Sequence, residues 1–304
     1  MTPFQSHGRV IAGTVTVPSL DAALTLYRDL FGLIEVERRP VPADLAASWG
    51  CPANAGAPSA LLQPASGAPC FIRLVEQPVP DAFVPTTSFG WASYEISVQN
   101  VFDWADRIAA AGAGVSIIGP PKEIPSLPFF VAMQMHGPGK EMLYFNEVRM
   151  DTPTTDLPKA QSPVDHIFIT ILAAHDRAAS VAWYRDIIGL DEADSYTLNY
   201  TMINKAFGLP DGTQSSLTMM QAGRMPIFEI DDYPAQATTR PCDPGHLPPG
   251  NALVTMAVRS FEGLAVEWVN PPMRRDGALY EGRLTATVRG PSGELLELVE
   301  MEQG

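Results

Sequence analysis

The sequence predicts an α+β protein built from four βαβββ units grouped as two pairs, and three observations carry that expectation. YRDLFGL begins at Tyr27 and YRDIIGL begins at Tyr184. Downstream of each copy, WGCPANAGAPSALLQ (Trp49 to Gln63) and FGLPDGTQSSLTMMQ (Phe207 to Gln221) place Gly-x-Pro at one fixed distance from an apolar run ending in Gln. The endings HGPGKEMLYF and RGPSGELLEL align without a gap. Elements matching in the same order mark an internal repeat.

In the first unit, Val10 to Val17 is a β-branched run that reads as a buried strand. Ser19 is a helix cap, Leu20, Ala23, Leu24 and Tyr27 follow at helical spacing, and Gly32 supplies the left-handed stop. PCFIRLV, from Pro69, is a later strand. The second unit opens with WASYEISVQNVFDWADRIAAAGA, a strand and then a helix, and closes through HGPGKEMLYFNEV. The third repeats the first: DHIFITILAAHDRAASVAW, a stop at Gly189, and PIFEIDD from Pro226. The fourth opens with NALVTMAVRSFEGLAVEWV, again read as strand and helix, and ends in RGPSGELLELVEM. The polar segment MDTPTTDLPKAQSP links the pairs, so the expected domains are residues 1–149 and 164–304 with a linker at 150–163. Prolines in GPPKEIPSLP and PAQATTRPCDPGHLPPG punctuate loops.

Composition narrows the function classes. At 304 residues, 46% hydrophobic and 18% charged, the chain has ample material for packed cores. A net charge of −14 with no basic cluster disfavours nucleic acid as a partner. No apolar run is long enough to span a bilayer, and the N-terminus lacks a signal-peptide pattern, so a cytoplasmic protein is expected. Cys51, Cys70 and Cys242 lack CxxC spacing and read as reduced thiols. The expected partner is a small molecule, and a homodimer is a further expectation.

YRDLFGL, YRDIIGL and GPSGELLELVE resemble the vicinal oxygen chelate superfamily, which includes glyoxalase I, extradiol dioxygenases and bleomycin-resistance proteins. The resemblance implies glyoxalase-like domains, each an open, cup-shaped mixed sheet with helices outside. It also implies a divalent metal (Zn, Fe, Mn, Ni or Co) bound by residues on the first and last strands of paired units. Carried over, the ligand positions fall on His166, Glu229 and Glu297, with Glu229 and Glu297 also candidates for the proton-transfer role. The remaining position falls on Leu253, which cannot bind metal, with Asn251 nearby. The corresponding positions of the first half are Ala12, Ile72 or Arg73, Ser93 and Tyr144, so that half reads as a degenerate copy. Tyr200, Phe228 and Met219 are expected to line the substrate cup with Asn251 and Leu253. The implied activity is a metal-dependent isomerase or lyase forming an enediolate. An extradiol dioxygenase and a metal-free binding protein are the alternatives. Which units pair stays open: in some four-unit relatives the first pairs with the fourth, which would separate His166 from Glu297.

Overall fold

A computed structural model describes residues 7–112, 114–123 and 128–301, so part of the proline-rich loop at 119–128 lies outside the described residues. The first unit runs β1 (Val10–Val17), α1 (Leu20–Leu24), β2 (Ile34–Pro40), α2 (Ala43–Ser48), β3 (Pro58–Gln63) and β4 (Phe71–Glu76). The second runs β5 (Gly90–Val98), α3 (Val101–Ala111), β6 (Ser116–Gly119), β7 (Phe130–His136) and β8 (Met142–Val148). The third contains β9 (Val164–Ala174), α4 (Arg177–Trp183), β10 (Asp191–Asn199), α5 (Thr201–Phe207), β11 (Gln214–Ala222) and β12 (Met225–Asp232). The fourth contains β13 (Asn251–Val258), β14 (Met273–Arg275), β15 (Arg283–Arg289) and β16 (Leu295–Glu300).

The fourth unit departs from expectation, because no helix follows its first strand. Gly263 takes a left-handed φ of +84° inside the segment expected to be helical. The chain there runs irregularly and stacks Phe261 on Trp268, ring centroids 4.8 Å apart.

Two eight-stranded mixed sheets result, and their composition settles the pairing. The first sheet has the order β14-β15-β16-β13-β1-β4-β3-β2, and the second β10-β11-β12-β9-β5-β8-β7-β6. The first unit therefore pairs with the fourth through β1 and β13, and the second with the third through β5 and β9. Residues 1–149 and 164–304 each give one unit to each sheet, so neither segment closes a sheet of its own. Segment 150–163 carries no helix or strand.

The two sheets share one core. Tyr94 on β5 donates to the carbonyls of Thr14 (2.8 Å) and Leu253 (3.0 Å), and Trp91 donates to Leu295 O at 2.7 Å. Gly13 allows this approach: a Cβ there would sit 2.7 Å from the side chains of Tyr94 and Ile167. Side chains alternate across each strand. One face of each sheet thus enters the common core, and the opposite face forms a cup turned away from the other sheet.

The repeated motif locks this arrangement. Ser19 caps α1 as expected, and both YRD copies continue their helices as π-helical turns, Thr25–Leu30 and Tyr184–Ile188. Tyr27 donates to Glu141 Oε1 at 2.7 Å, and Tyr184 to Glu294 Oε1 at 2.9 Å. Each bond crosses from one sheet's unit to the other's. The first glycine of GPGKE and of GPSGE is required, because a Cβ on Gly137 or Gly290 would collide with that glutamate. Burial pushes both carboxyls up to about 7, against the hydrogen bonds they receive. Arg28 and Arg185 stay exposed and pair with Asp29 and Glu35, and with Asp186 and Glu192.

Candidate active site

The cup of the first sheet is filled by its own chain. Period-two alternation carries Arg73 on β4 into the cup and leaves Ile72 in the shared core. Thr255 on β13 lies beside Glu297 on β16 in the register. Glu297 is fully buried. Its carboxylate accepts from Trp49 Nε1 (2.9 Å), Tyr280 OH (3.0 Å) and Thr255 Oγ1 (2.8 Å). Arg73 Nη1 lies 3.8 Å from Glu297 Oε2, and its Nη2 donates to Tyr280 OH at 2.7 Å. The guanidinium also sits over the rings of Trp49 and Tyr280, 5.1 and 5.3 Å from their centroids. Burial works against the charged guanidinium, but Tyr280 and Glu297 outweigh it and hold the Arg73 pKa above its ordinary value. Leu45, Trp49, Leu253 and Leu279 pack the remaining space.

The cup of the second sheet has the opposite electrostatics. Glu229 and Asp231 alternate with Phe228 and Ile230 on β12, so both carboxyls face the cup while the apolar pair enters the core. Glu95 on β5 comes in from across β9. Tyr200 donates to Glu229 Oε1 at 3.0 Å, and the Tyr144 and Tyr200 hydroxyls lie 3.3 Å apart. Asn146 donates to Glu95 Oε2 at 2.5 Å, and Ser93 Oγ is buried without a partner. Burial raises all three carboxyl pKa values, and Glu229 adds to the rise for Glu95 and Asp231. No ion pair neutralises Glu95, Glu229 or Asp231 among the described residues. Glu229 is half-buried; Asp231 is 1% exposed. Helix α5 covers the cup with Met202 and Ile203, leaving a space of only about 10 Å³ beside Ser93, Tyr144 and Tyr200.

Three expected ligands are thus dispersed. Glu297 belongs to the first cup. His166 and Glu229 share the second sheet, but Glu229 pairs with Ile171, five residues further along β9. At about 3.3 Å per residue, that is roughly 16 Å of strand. His166 instead sits at the strand's start beside Asp165, 3.2 Å from Nδ1 to Oδ1. The dispersal follows from the pairing, since ligands chosen for a cup of units three and four meet only if those units share a sheet. Of the expected lining residues, Tyr200 reaches the second cup and Met219 pairs with Glu229 across β11 and β12. Phe228 points into the shared core, against Trp91 and Tyr184. Leu253 packs in the first cup, and Asn251 spends its amide on the backbone of Met142.

A divalent metal does not fit either cup. In the first, the Arg73 guanidinium occupies the neighbourhood of Glu297, whose oxygens already have donors. In the second, His136 at the end of β7 lies on the cup face opposite Met142, but it and the carboxyls of Glu95, Glu229 and Asp231 do not meet at one point. Among the described residues, no three His, Cys, Asp or Glu side chains converge closely enough to hold an ion.

Sequence reasoning missed Glu95, Asp231, Trp49 and Tyr280 as site residues, and named Arg73 only as one of two candidates for a position in the degenerate half. For Glu95 a signal was present: in GWASYEISV, a charged residue alternates with Tyr94, Ile96 and Val98 on a strand otherwise free of charge.

No family model matches the sequence, and no curated protein matches it. Solved structures do match the fold. Glyoxalase I from Zea mays aligns with a TM-score of 0.61 at 16% identity, covering 96% of this chain and 92% of that one. A candidate dioxygenase from Bacillus subtilis subsp. subtilis str. 168 aligns with a TM-score of 0.64 at 13% identity, covering 98% and 87%. At such identity the likeness is one of fold. No helix among the described residues is long and apolar enough to cross a membrane.

Proposed function

We infer that this chain, which carries the vicinal oxygen chelate fold, is a proton-transferring enzyme of isomerase or lyase type that works in the second cup without a resident metal. The observation that carries this reading is the hydrogen-bonded Tyr144–Tyr200–Glu229 chain beneath α5. Burial raises the pKa of this half-buried glutamate, which makes its carboxylate a stronger base than a solvated one. Its carboxylate takes a proton from the carbon next to a substrate carbonyl. The electron pair moves onto the carbonyl oxygen, where the Tyr144 hydroxyl, released from Tyr200 as the substrate enters, donates a hydrogen bond to the enolate. Return of the proton to the carbon skeleton gives the isomer, with no net oxidation. Loss of a β-leaving group from the same enolate gives the lyase outcome.

The three carboxyl groups restrict the substrate to neutral or cationic molecules, since a carboxylate or phosphate would meet like charge in a low-dielectric cup. The small space under α5 admits about one water, so substrate entry requires α5 to move. A ring-cleaving oxygenase fits less well, because His166, Glu229 and Glu297 do not come together in either cup.

The test is solvent deuterium incorporation, followed by proton NMR, into hydroxyacetone, dihydroxyacetone, acetoin and aminoacetone with EDTA present. Exchange is expected with at least one of them, and Glu229→Gln should slow it by about 10²–10⁴-fold. Exchange with none, or exchange abolished by EDTA and restored by a divalent metal, overturns the reading.

A further inference from the structure

The second cup holds a pair of acids in an arrangement that a cation would complete. Glu229 and Asp231 hydrogen-bond to each other, which two carboxyls do only when one of them keeps its proton. The charge of Glu95 reaches Asp231 as well, so three acids oppose one another's ionisation. The space of about 10 Å³ under α5 lies against Asp231 and has room for one group the size of a water molecule. Its polar walls are Asp231, Ser93, Tyr144, Tyr200 and Tyr233, and Ile171 and Met202 are among its apolar ones.

Among the described residues, no basic side chain borders this space. His136 pairs with Met142 in the register, and burial holds its pKa below the ordinary value, which keeps it neutral. The charge of Arg240 reaches Tyr233, but its hydrogen bonds go to Ser88 Oγ and to the carbonyls of Trp91 and Asn251. Ser93 is 1% exposed, and its hydroxyl has no hydrogen-bond partner. Tyr200 gives its proton to Glu229, so its oxygen is left as an acceptor. The walls thus offer oxygens and negative charge. A primary ammonium matches them: it is about the size of water and carries three donors and one positive charge. Its charge takes the place of the proton held between Glu229 and Asp231, and its donors go to Asp231, Ser93 Oγ and the Tyr200 oxygen.

We propose that the second cup recognises a primary ammonium group, and that its substrates are small amines with the amino group on the carbon next to the carbonyl. The assignment rests on the proton-transfer reading above and narrows its substrates from neutral or cationic molecules to cations. Asp231 pairs with the ammonium. Glu229, no longer sharing a proton, is then the carboxylate that takes the proton from the amine-bearing carbon.

The test is calorimetric titration of the full-length protein with 1-amino-2-propanol and with its uncharged counterpart, 1,2-propanediol, at about 0.15 M salt to screen surface charge. Neither compound has a carbonyl, so binding is read apart from catalysis. Saturable binding of the amine is expected, about tenfold or more tighter than the diol, with proton release seen as a heat that varies with the buffer's ionisation enthalpy. Asp231→Asn, a change of nearly equal shape, should weaken amine binding about tenfold with unchanged circular dichroism. Ser93→Ala, which leaves every acid in place, should weaken it about threefold. No saturation by the amine, equal binding of the two compounds, no proton release, or undiminished binding by both variants would each overturn the assignment. Deuterium exchange into hydroxyacetone, slowed by Glu229→Gln, would then still support the proton-transfer reading. Amine binding without exchange into any ketone would overturn that reading and leave the ammonium site standing.

Discussion

Each cup holds inward-facing carboxylates, yet the two use them in opposite ways. In the first, Glu297 accepts from Trp49, Tyr280 and Thr255, and the Arg73 guanidinium lies 3.8 Å away as its counter-charge. In the second, Glu95, Glu229 and Asp231 crowd together with only tyrosines and an asparagine to solvate them. A carboxylate with matched donors and a cation is a structural element. Carboxyl groups held together without a cation store unfavourable energy, and sites that do so are typically functional. The fold is the same in both halves; what separates them is whether the chain brings its own cation.

The largest effect should come from breaking the first cup's pair. Arg73→Met leaves Glu297 buried without its cation and should cost about 3–5 kcal/mol in urea unfolding. The double variant Arg73→Met/Glu297→Gln should recover most of that loss, since neither partner then carries an unpaired charge. A double variant as unstable as the single one would mean that Arg73 acts through packing against Trp49 and Tyr280 instead.

Next come the glutamates that join the sheets. Glu141 and Glu294 titrate at about 7 when folded, against 4.5 for a free glutamate. Their folded pKa values are raised, so the native state binds more protons than the unfolded chain. The stabilisation is therefore complete below about pH 4.5 and is lost as pH rises through 7. At about 1.4 kcal/mol per unit, each accounts for roughly 3 kcal/mol. Unfolding free energies at pH 5 and pH 8 should differ markedly in the parent protein, with the higher value at pH 5. Glu141→Gln should narrow the gap. An unchanged gap would place the titration elsewhere, in Glu95 or Asp231.

How much of this was legible beforehand follows from what sequence repeats encode. The strands, the cap at Ser19 and the left-handed stops at Gly32 and Gly189 depend on neighbouring residues, and these were readable. Unit pairing depends on contacts between β1 and β13, more than 200 residues apart, and four similar units satisfy their local rules under either pairing. With the pairing open, the site could only be placed by analogy. His166, Glu229 and Glu297 were each on a plausible strand yet met nowhere. Arg73 shows the same limit: its charge was evident, but its partner across the sheet, Glu297, was not. The helix expected after β13 failed for a local reason, because Gly263 breaks the pattern that Phe261, Leu264 and Trp268 suggest.

In the second cup, removing a carboxyl should do the reverse of what it does in the first. Asp231→Asn removes a buried carboxyl whose ionisation is opposed by burial and by Glu229, and should raise stability at pH 8 by roughly 1 kcal/mol, at the expense of function. It should not shift the lower limb of the activity–pH profile toward acid, because the Asp231 side chain hydrogen-bonds to Glu229 and holds its pKa down. Destabilisation by several kcal/mol would instead place Asp231 in the same structural class as Glu297, and the contrast between the cups would fail.

The smallest effect separates the residues within the repeated motif itself. Tyr27 and Arg28 are adjacent and occur in both copies, but Tyr27 is fully buried on Glu141 whereas Arg28 lies 40% exposed beside Asp29 and Glu35. Exposed ion pairs are screened by water and salt and contribute about 0.2–1 kcal/mol. Arg28→Ala and Arg185→Ala should therefore each lower stability by no more than that, with the effect fading in 1 M salt. Tyr27→Phe leaves the Glu141 carboxyl short of a donor in the core and should cost about 1–3 kcal/mol, with little dependence on salt. Equal losses for the two variants would imply that the motif's arginine reaches further into the fold than its exposed ion pairs suggest.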